Sequence, residues 1–167
     1  MNDARIKFVR DTARNIINGT KITKPPIILN DIIRQLKTSL NLEIRKIDLK
    51  EGLDGISKET YEASFLGYNG NIHTHRVRST VAHELGHICL HHTHPANTNR
   101  LEITEKQVES EAWTFARELL MPLPMFRKHT QELKSIPKLR DLYWVSSDML
   151  RIRIQELHLE TSIWEWV

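Results

Sequence analysis

Five of the nine histidines in this 167-residue chain fall within twelve positions, HELGHICLHHTH from His83 to His94. The first five residues of that run place His83 and His87 four apart. On an α-helix this spacing puts both imidazoles on one face, where they can reach a single ion at about 2.0–2.1 Å. The fold is constrained accordingly: the segment around 78–92 has to be helical, and a second element has to face it to complete a ligand set. Glu84 is turned by about 100° from His83, which sets its carboxylate beside the ion as a general base for water.

A catalytic zinc takes three protein ligands and keeps one position open. Cys89 is the chain's only cysteine, so the third donor must be a histidine or a carboxylate. A histidine six residues after His87, with a glycine three residues after it, would give the metzincin pattern; Leu90 and Thr93 occupy those positions. His91 continues the helical face but lies about 12 Å along the axis from His83, too far to share an ion. The pair 83/87 has Glu84 beside it, whereas 87/91 has Ile88, which carries no base. The segment VESEAWTFARELLMP offers Glu109 and Glu111 on a second helix. Glu109 shares a face with Ala112 and Ala116, small residues that let two helices press together, and is the expected third ligand. Glu111 points about 200° away and is expected to be solvated. His91, His92 and His94 are expected as exposed polar residues at a helix end, and Cys89 as apolar filler.

Around this pair the chain reads as one α+β domain over residues 1–167, mostly helical. Residues 1–50 hold two amphipathic helices and a strand. Ile6, Val9, Ala13, Ile16 and Ile17 form the first stripe, ended by Gly19; Asp31 caps the second helix, which carries Ile32, Ile33, Leu36 and Leu40; LEIRKIDL is the strand. Residues 51–75 begin as a loop and then form a hairpin, with TYEASFLGY and NIHTH flanking Asn69-Gly70, giving a small antiparallel sheet beside the histidine helix. Residues 76–125 contain the two ligand helices, about Arg78 to His92 and Thr104 to Met121. Residues 126–167 read as short helices, with TSIWEWV as a closing strand or packed tail.

Hydrophobic content of 40% and charged content of 27% are ordinary for a globular protein, and no tract is apolar enough to fill a bilayer. The N-terminus lacks the apolar core and cleavage site of a secretory signal, which predicts a cytoplasmic location. Net charge is +3, but residues 1–50 hold eleven Lys/Arg against five Asp/Glu. Such an excess is either a solvated helix face or a nucleic-acid patch.

The two motifs together resemble the ImmA/IrrE family of zinc metallopeptidases. RVRSTVAHELGHICLHH is similar to that family's R-x-R-F-T-x-A-H-E-L-G-H-x-x-L-H, and ESEAWTFARELLMP to its E-x-E-A-N-x-F-A-x-x-L-L-M-P. The resemblance implies a zincin-like domain binding one Zn2+ through His83, His87 and Glu109, with Glu84 as catalytic base. It also implies a regulatory protease, often encoded on mobile elements, that cleaves or inactivates a helix-turn-helix repressor. Two positions depart from the pattern: Ser79 stands where Phe is usual, and Trp113 where Asn or Asp is usual. An indole N–H donates but cannot accept from a ligand imidazole, so any such acceptor has to come from elsewhere.

Tyr68, His73, His75 and Tyr143 are candidates for stabilising an oxyanion. A different class of function is also legible. IPKLRDLYWVSSDMLRIRIQEL resembles a helix-turn-helix with Val145-Ser146 at the turn and Arg151 and Arg153 on the following helix, as in a direct DNA-binding regulator. The same segment would otherwise be a packed helix pair built on Leu142, Val145, Leu150, Ile154 and Leu157. A zinc-binding interaction protein without turnover is the third alternative.

Overall fold

The computed structural model describes residues 2–97 and 104–166. Helix α1 (Asp3–Asn18) begins where the Asn2 side chain accepts from the Arg5 N–H at 2.9 Å, and it buries Val9, Ala13 and Ile17, spaced by four. Helix α2 (Leu29–Leu40) buries Leu29, Ile32 and Leu36, starting two residues before the predicted Asp31 cap, and stops at Asn41 in the left-handed conformation.

The chain then forms strands β1 (Leu42–Ile47), β2 (Gly55–Glu59) and β3 (Ser64–Asn69), in sheet order β1-β3-β2. β2 and β3 form an antiparallel pair in place of the expected pairing of TYEASFLGY with NIHTH, and β1 runs parallel to β3, so the sheet is mixed. The reason is a displaced hairpin. The turn falls at residues 60–63, closed by the Thr60 N–H on the Ala63 carbonyl at 2.8 Å, and the predicted loop before residue 58 contains β2. Asn69-Gly70 instead ends β3, and NIHTH is not a strand. His73 accepts from the His75 N–H at 3.3 Å and caps α3 (Thr74–Cys89), which starts four residues before the predicted Arg78. Asn-Gly favours a tight reversal of any kind, and here the reversal leads into a helix.

Helix α4 (Glu105–Leu120), capped by Thr104, packs between α1 and α3. Its approach to α3 is close: a Cβ on Gly86 would lie 3.0 Å from the Ala112 carbonyl oxygen and 3.1 Å from Phe115 Cδ1. On the other side, α4 is tied to α1 by Arg5–Glu111 and Arg14–Glu118 ion pairs at 2.6 and 2.8 Å.

Three shorter helices complete the fold: α5 (Leu123–Leu133), α6 (Ile136–Tyr143) and α7 (Ser147–Glu156). α6 and α7 are a packed pair with Trp144 in left-handed conformation at the turn and Leu139, Tyr143, Val145, Leu150 and Ile154 buried. Arg153 is 0% exposed and donates to Glu118 and to the Met121 carbonyl, while Arg151 donates to the Trp166 carbonyl. Both arginines thus hold α7 to the rest of the fold. The C-terminal segment is a packed tail with one short 3-10 turn and a single bridge, Ser135 to Glu165. No helix among the described residues is long and apolar enough to cross a membrane.

Side chains larger than hydrogen at residue 86 would have to displace the α4 backbone. Gly86→Val is therefore expected to cost about 1–3 kcal/mol by overpacking and to lower the melting temperature by several degrees. A variant as stable as the parent, followed by circular dichroism, would contradict the close packing.

Candidate metal centre

Helices α3 and α4 bring three donor groups to one point. His83 Nε2 lies 3.1 Å from His87 Nε2 and 3.2 Å from Glu109 Oε2, and His87 Nε2 lies 3.3 Å from Glu109 Oε1. A tetrahedral ion with bonds of about 2.0–2.1 Å holds its ligands about 3.3 Å apart. The donor set, two imidazoles and one carboxylate, suits a divalent transition metal of the zinc type, so these residues fit such an ion. The two histidines are buried, whereas the Glu109 side chain is 49% exposed, which leaves the centre open to solvent on the α4 side. His91 lies outside that cluster among the described residues and contacts Glu59 at 2.9 Å.

Burial sets the electrostatics. It pushes His83 down to about 3, helped by neighbouring positive charge on His87, His92 and Arg117, and pushes His87 down to about 4, helped by His92. Both rings are thus neutral at pH 7 with a lone pair available, and an ion has no imidazole proton to displace.

Glu84 is buried next to the histidines. Its carboxyl is raised by burial, held back by a hydrogen bond that Ser57 Oγ donates at 2.7 Å, and raised again by the charge of Glu109. Gly55, at the start of β2, makes room for that carboxylate: a Cβ there would sit 2.8 Å from Glu84 Oε1 and 2.6 Å from Thr80 Cγ2. Ser57 and Gly55 lie in the stretch that the sequence presents as loop, so neither stands out until β2 is laid beside α3.

Two expectations fail behind the ligands. Glu111 is 0% exposed, not solvated, and His92 is 5% exposed, not an exposed helix-end residue. Glu111 does point away from Glu109, but the far side of α4 faces α1 instead of water. It accepts two hydrogen bonds from Arg5, at 2.9 and 2.6 Å, and contacts His92 Nε2 at 3.1 Å. These bonds overcome the upward effect of burial and keep Glu111 below the usual carboxylate range.

His92 turns inward because α3 ends in a Schellman motif. The His92 N–H binds the His87 carbonyl at 2.8 Å and the His91 N–H binds that of Ile88 at 3.0 Å, with His91 at φ 56°. His92 Nδ1 then faces His87 Nδ1 at 3.2 Å. No such partner serves His83 among the described residues: its Nδ1 is buried without a hydrogen bond, and the Trp113 ring lies over its own at 4.2 Å between centroids.

The remaining candidates sort clearly. Cys89 packs on the core and burial pushes its thiol up to about 12, an unreactive group. Tyr143 is fully buried against Phe126 with its hydroxyl on His129 Nδ1 at 2.8 Å, and His75 lies two helical turns before His83. His73 is taken up in capping α3, and Tyr68 faces Ile44, Val77 and Val81 across a separate groove. None of these four is joined to the ligand cluster by a hydrogen bond among the described residues. Ser79 sits within α3 with its hydroxyl donating to the His75 and Arg76 carbonyls.

Comparison with known proteins follows the same outline. No curated protein sequence matches the chain. Among solved structures, a Mycobacterium tuberculosis transcriptional regulator superposes with a TM-score of 0.65 at 10% identity, over 86% of this chain and 45% of that one. At that identity the likeness is one of fold, and this chain spans less than half the length of that regulator. Residues 38–155 match the IrrE N-terminal-like domain of peptidase family M78, a span that takes in β1 to β3, both ligand helices and most of α7. With its paired histidines and Glu109 converging inside that span, the chain belongs to the IrrE N-terminal-like domain family.

Proposed function

We propose that the protein is a cytoplasmic zinc-dependent endopeptidase that regulates transcription by cutting a helix-turn-helix repressor. The observation that carries the catalytic part is the convergence of His83, His87 and Glu109 with a buried carboxylate, Glu84, beside them. Zinc held by those three residues would supply Lewis acidity toward water and toward the scissile carbonyl. Glu84 takes the proton of the attacking water as its oxygen bonds to the carbonyl carbon, and returns that proton to the amine nitrogen as the C–N bond breaks. Its raised carboxyl range suits it to both halves of that task. Ser57 fixes which oxygen is free for the water by holding Oε2.

The substrate side rests on the sheet. β2 is an edge strand and packs on α3, so an extended peptide pairing with it would pass close to Glu84, bound mainly through its backbone. A regulator as substrate is supported by the family membership and by the fold shared with a transcriptional regulator. Direct DNA binding through α7 is disfavoured, because Arg153 is buried in an ion pair with Glu118.

Three outcomes are expected. Purified protein should carry one zinc per chain, and Glu84→Gln should keep that zinc while slowing cleavage by about 10²–10⁴-fold; unchanged turnover would exclude Glu84 as the base. Ser57→Ala removes the bond that holds Glu84 down, so the acid limb of the kcat/KM profile should move to higher pH. For the metal-free protein the linkage runs through His83 and His87, which titrate near 3 and 4 when folded against an ordinary 6.5. The unfolded chain binds more protons below that value, so the melting temperature should fall as pH drops from about 6.5 toward 4. A flat profile over that window would show that the imidazoles are not desolvated.

A further inference from the structure

We propose that the metal affinity of this site is tuned from the first helix of the chain, through a relay of four groups: Arg5, Glu111, His92 and His87. The inference rests on the metal reading above and extends it to residues that touch no ligand atom directed at the ion.

The hydrogen-bond roles are fixed from the metal outward. His87 Nε2 faces His83 and Glu109, so its lone pair belongs to the ion and the ring proton sits on Nδ1. That proton is donated to His92 Nδ1 at 3.2 Å, which makes His92 an acceptor there and places its own proton on Nε2. His92 Nε2 in turn donates to Glu111 Oε2 at 3.1 Å. Glu111, fully buried, stays ionised because Arg5 donates to both of its oxygens. These roles are mutually consistent along the relay. Negative charge on Glu111 is thereby felt at His87 Nε2, which becomes a stronger donor, as when a carboxylate backs a ligand imidazole directly.

The relay compensates for a deficit on the other ligand. His83 Nδ1 has no acceptor among the described residues, and Trp113, which packs on its ring, cannot provide one. One histidine is oriented by a charged network and the other by an aromatic face. Arg5 also lies outside residues 38–155, so the tuning comes from a helix beyond the family-matched span.

A second link between the same helices separates tuning from mere docking. Arg14 pairs with Glu118 at 2.8 Å, tying α1 to α4 without touching any metal ligand. The test is the zinc dissociation constant, measured at neutral pH by competition with a chromophoric chelator, together with the visible spectrum of the Co2+ form. His92→Phe fills the volume but neither accepts nor donates, and is expected to weaken zinc by about 10–100-fold. The double variant Arg5→Met/Glu111→Gln leaves no buried charge unpaired and should weaken it similarly. Arg5→Lys keeps a cation on Glu111 and should recover most of the parent affinity, which also serves if the buried variants do not fold. Arg14→Met should lower the melting temperature while leaving the zinc constant within about twofold, the scale of a site with no ligand contact. Parent-like zinc binding and an unshifted Co2+ spectrum in His92→Phe and in the double variant would overturn the relay while leaving the metal centre standing. Equal weakening by Arg14→Met would reduce it to helix docking. A parent protein that binds no zinc would remove the metal centre itself.

Discussion

The contact on which the rest depends is the approach of α4 to α3 at Gly86 and Ala112. Two helices carrying full side chains at a crossing sit about 8–10 Å apart, and a carboxylate on one then meets imidazoles on the other only if the crossing point is cleared. Gly86 lies between the two histidines, so the clearance falls at the level of the ligands themselves. The helix-propensity cost of that glycine, about 1 kcal/mol against alanine, is offset by the burial of Leu85, Ile88, Phe115 and Ala116 around it. Stability and site geometry thus come from one packing decision.

Burying two imidazoles and a carboxylate together would be unfavourable if each had to ionise. The site avoids this by keeping the histidines neutral and raising Glu84, with the charged groups set one layer back, where they are paired. Glu111 with Arg5, and Glu118 with Arg14 and Arg153, form two buried anion sites on α4, each closed by an arginine of α1. Part of the basic excess of residues 1–50 is consumed this way. What looks like a patch for an acidic partner is partly the counter-charge of the protein's own central helix.

The two helices that bring His83, His87 and Glu109 together were legible in the sequence because each carries its information locally. The i, i+4 histidines and the Ala112 and Ala116 face mark α3 and α4 without reference to the remainder of the chain. Glu109 followed from the same periodicity. The hairpin was not placed correctly, since β2 has weak strand residues, Gly55 and Ser57 among them, whose presence is explained by Glu84 rather than by the sheet. His92 was hidden for another reason. A helical wheel continued past Leu90 sends it outward, and a C-terminal reversal is normally signalled by glycine, whereas here His91 takes the left-handed conformation. Glu111 was assigned the right direction but the wrong medium, because nothing in α4 alone says that α1 lies on its far side.

Trp113 shows how the two halves of the site bear on one another. The indole covers the His83 ring, and His83 Nδ1 has no hydrogen-bond partner among the described residues. An uncompensated buried N–H costs about 1–3 kcal/mol, a cost that ring packing against the indole, worth about 0.5–1.5 kcal/mol beyond area, recovers only in part. The indole is at the edge of exposure and lines a cavity of about 420 Å³ with Ser79, Ser110, Arg117, Ser146, Met149 and Ile152. Ser79, the other departure from the family pattern, opens onto the same space. The small Ser79 on α3 and the large Trp113 ring on α4 thus face one cavity, with the indole packed on the His83 ring.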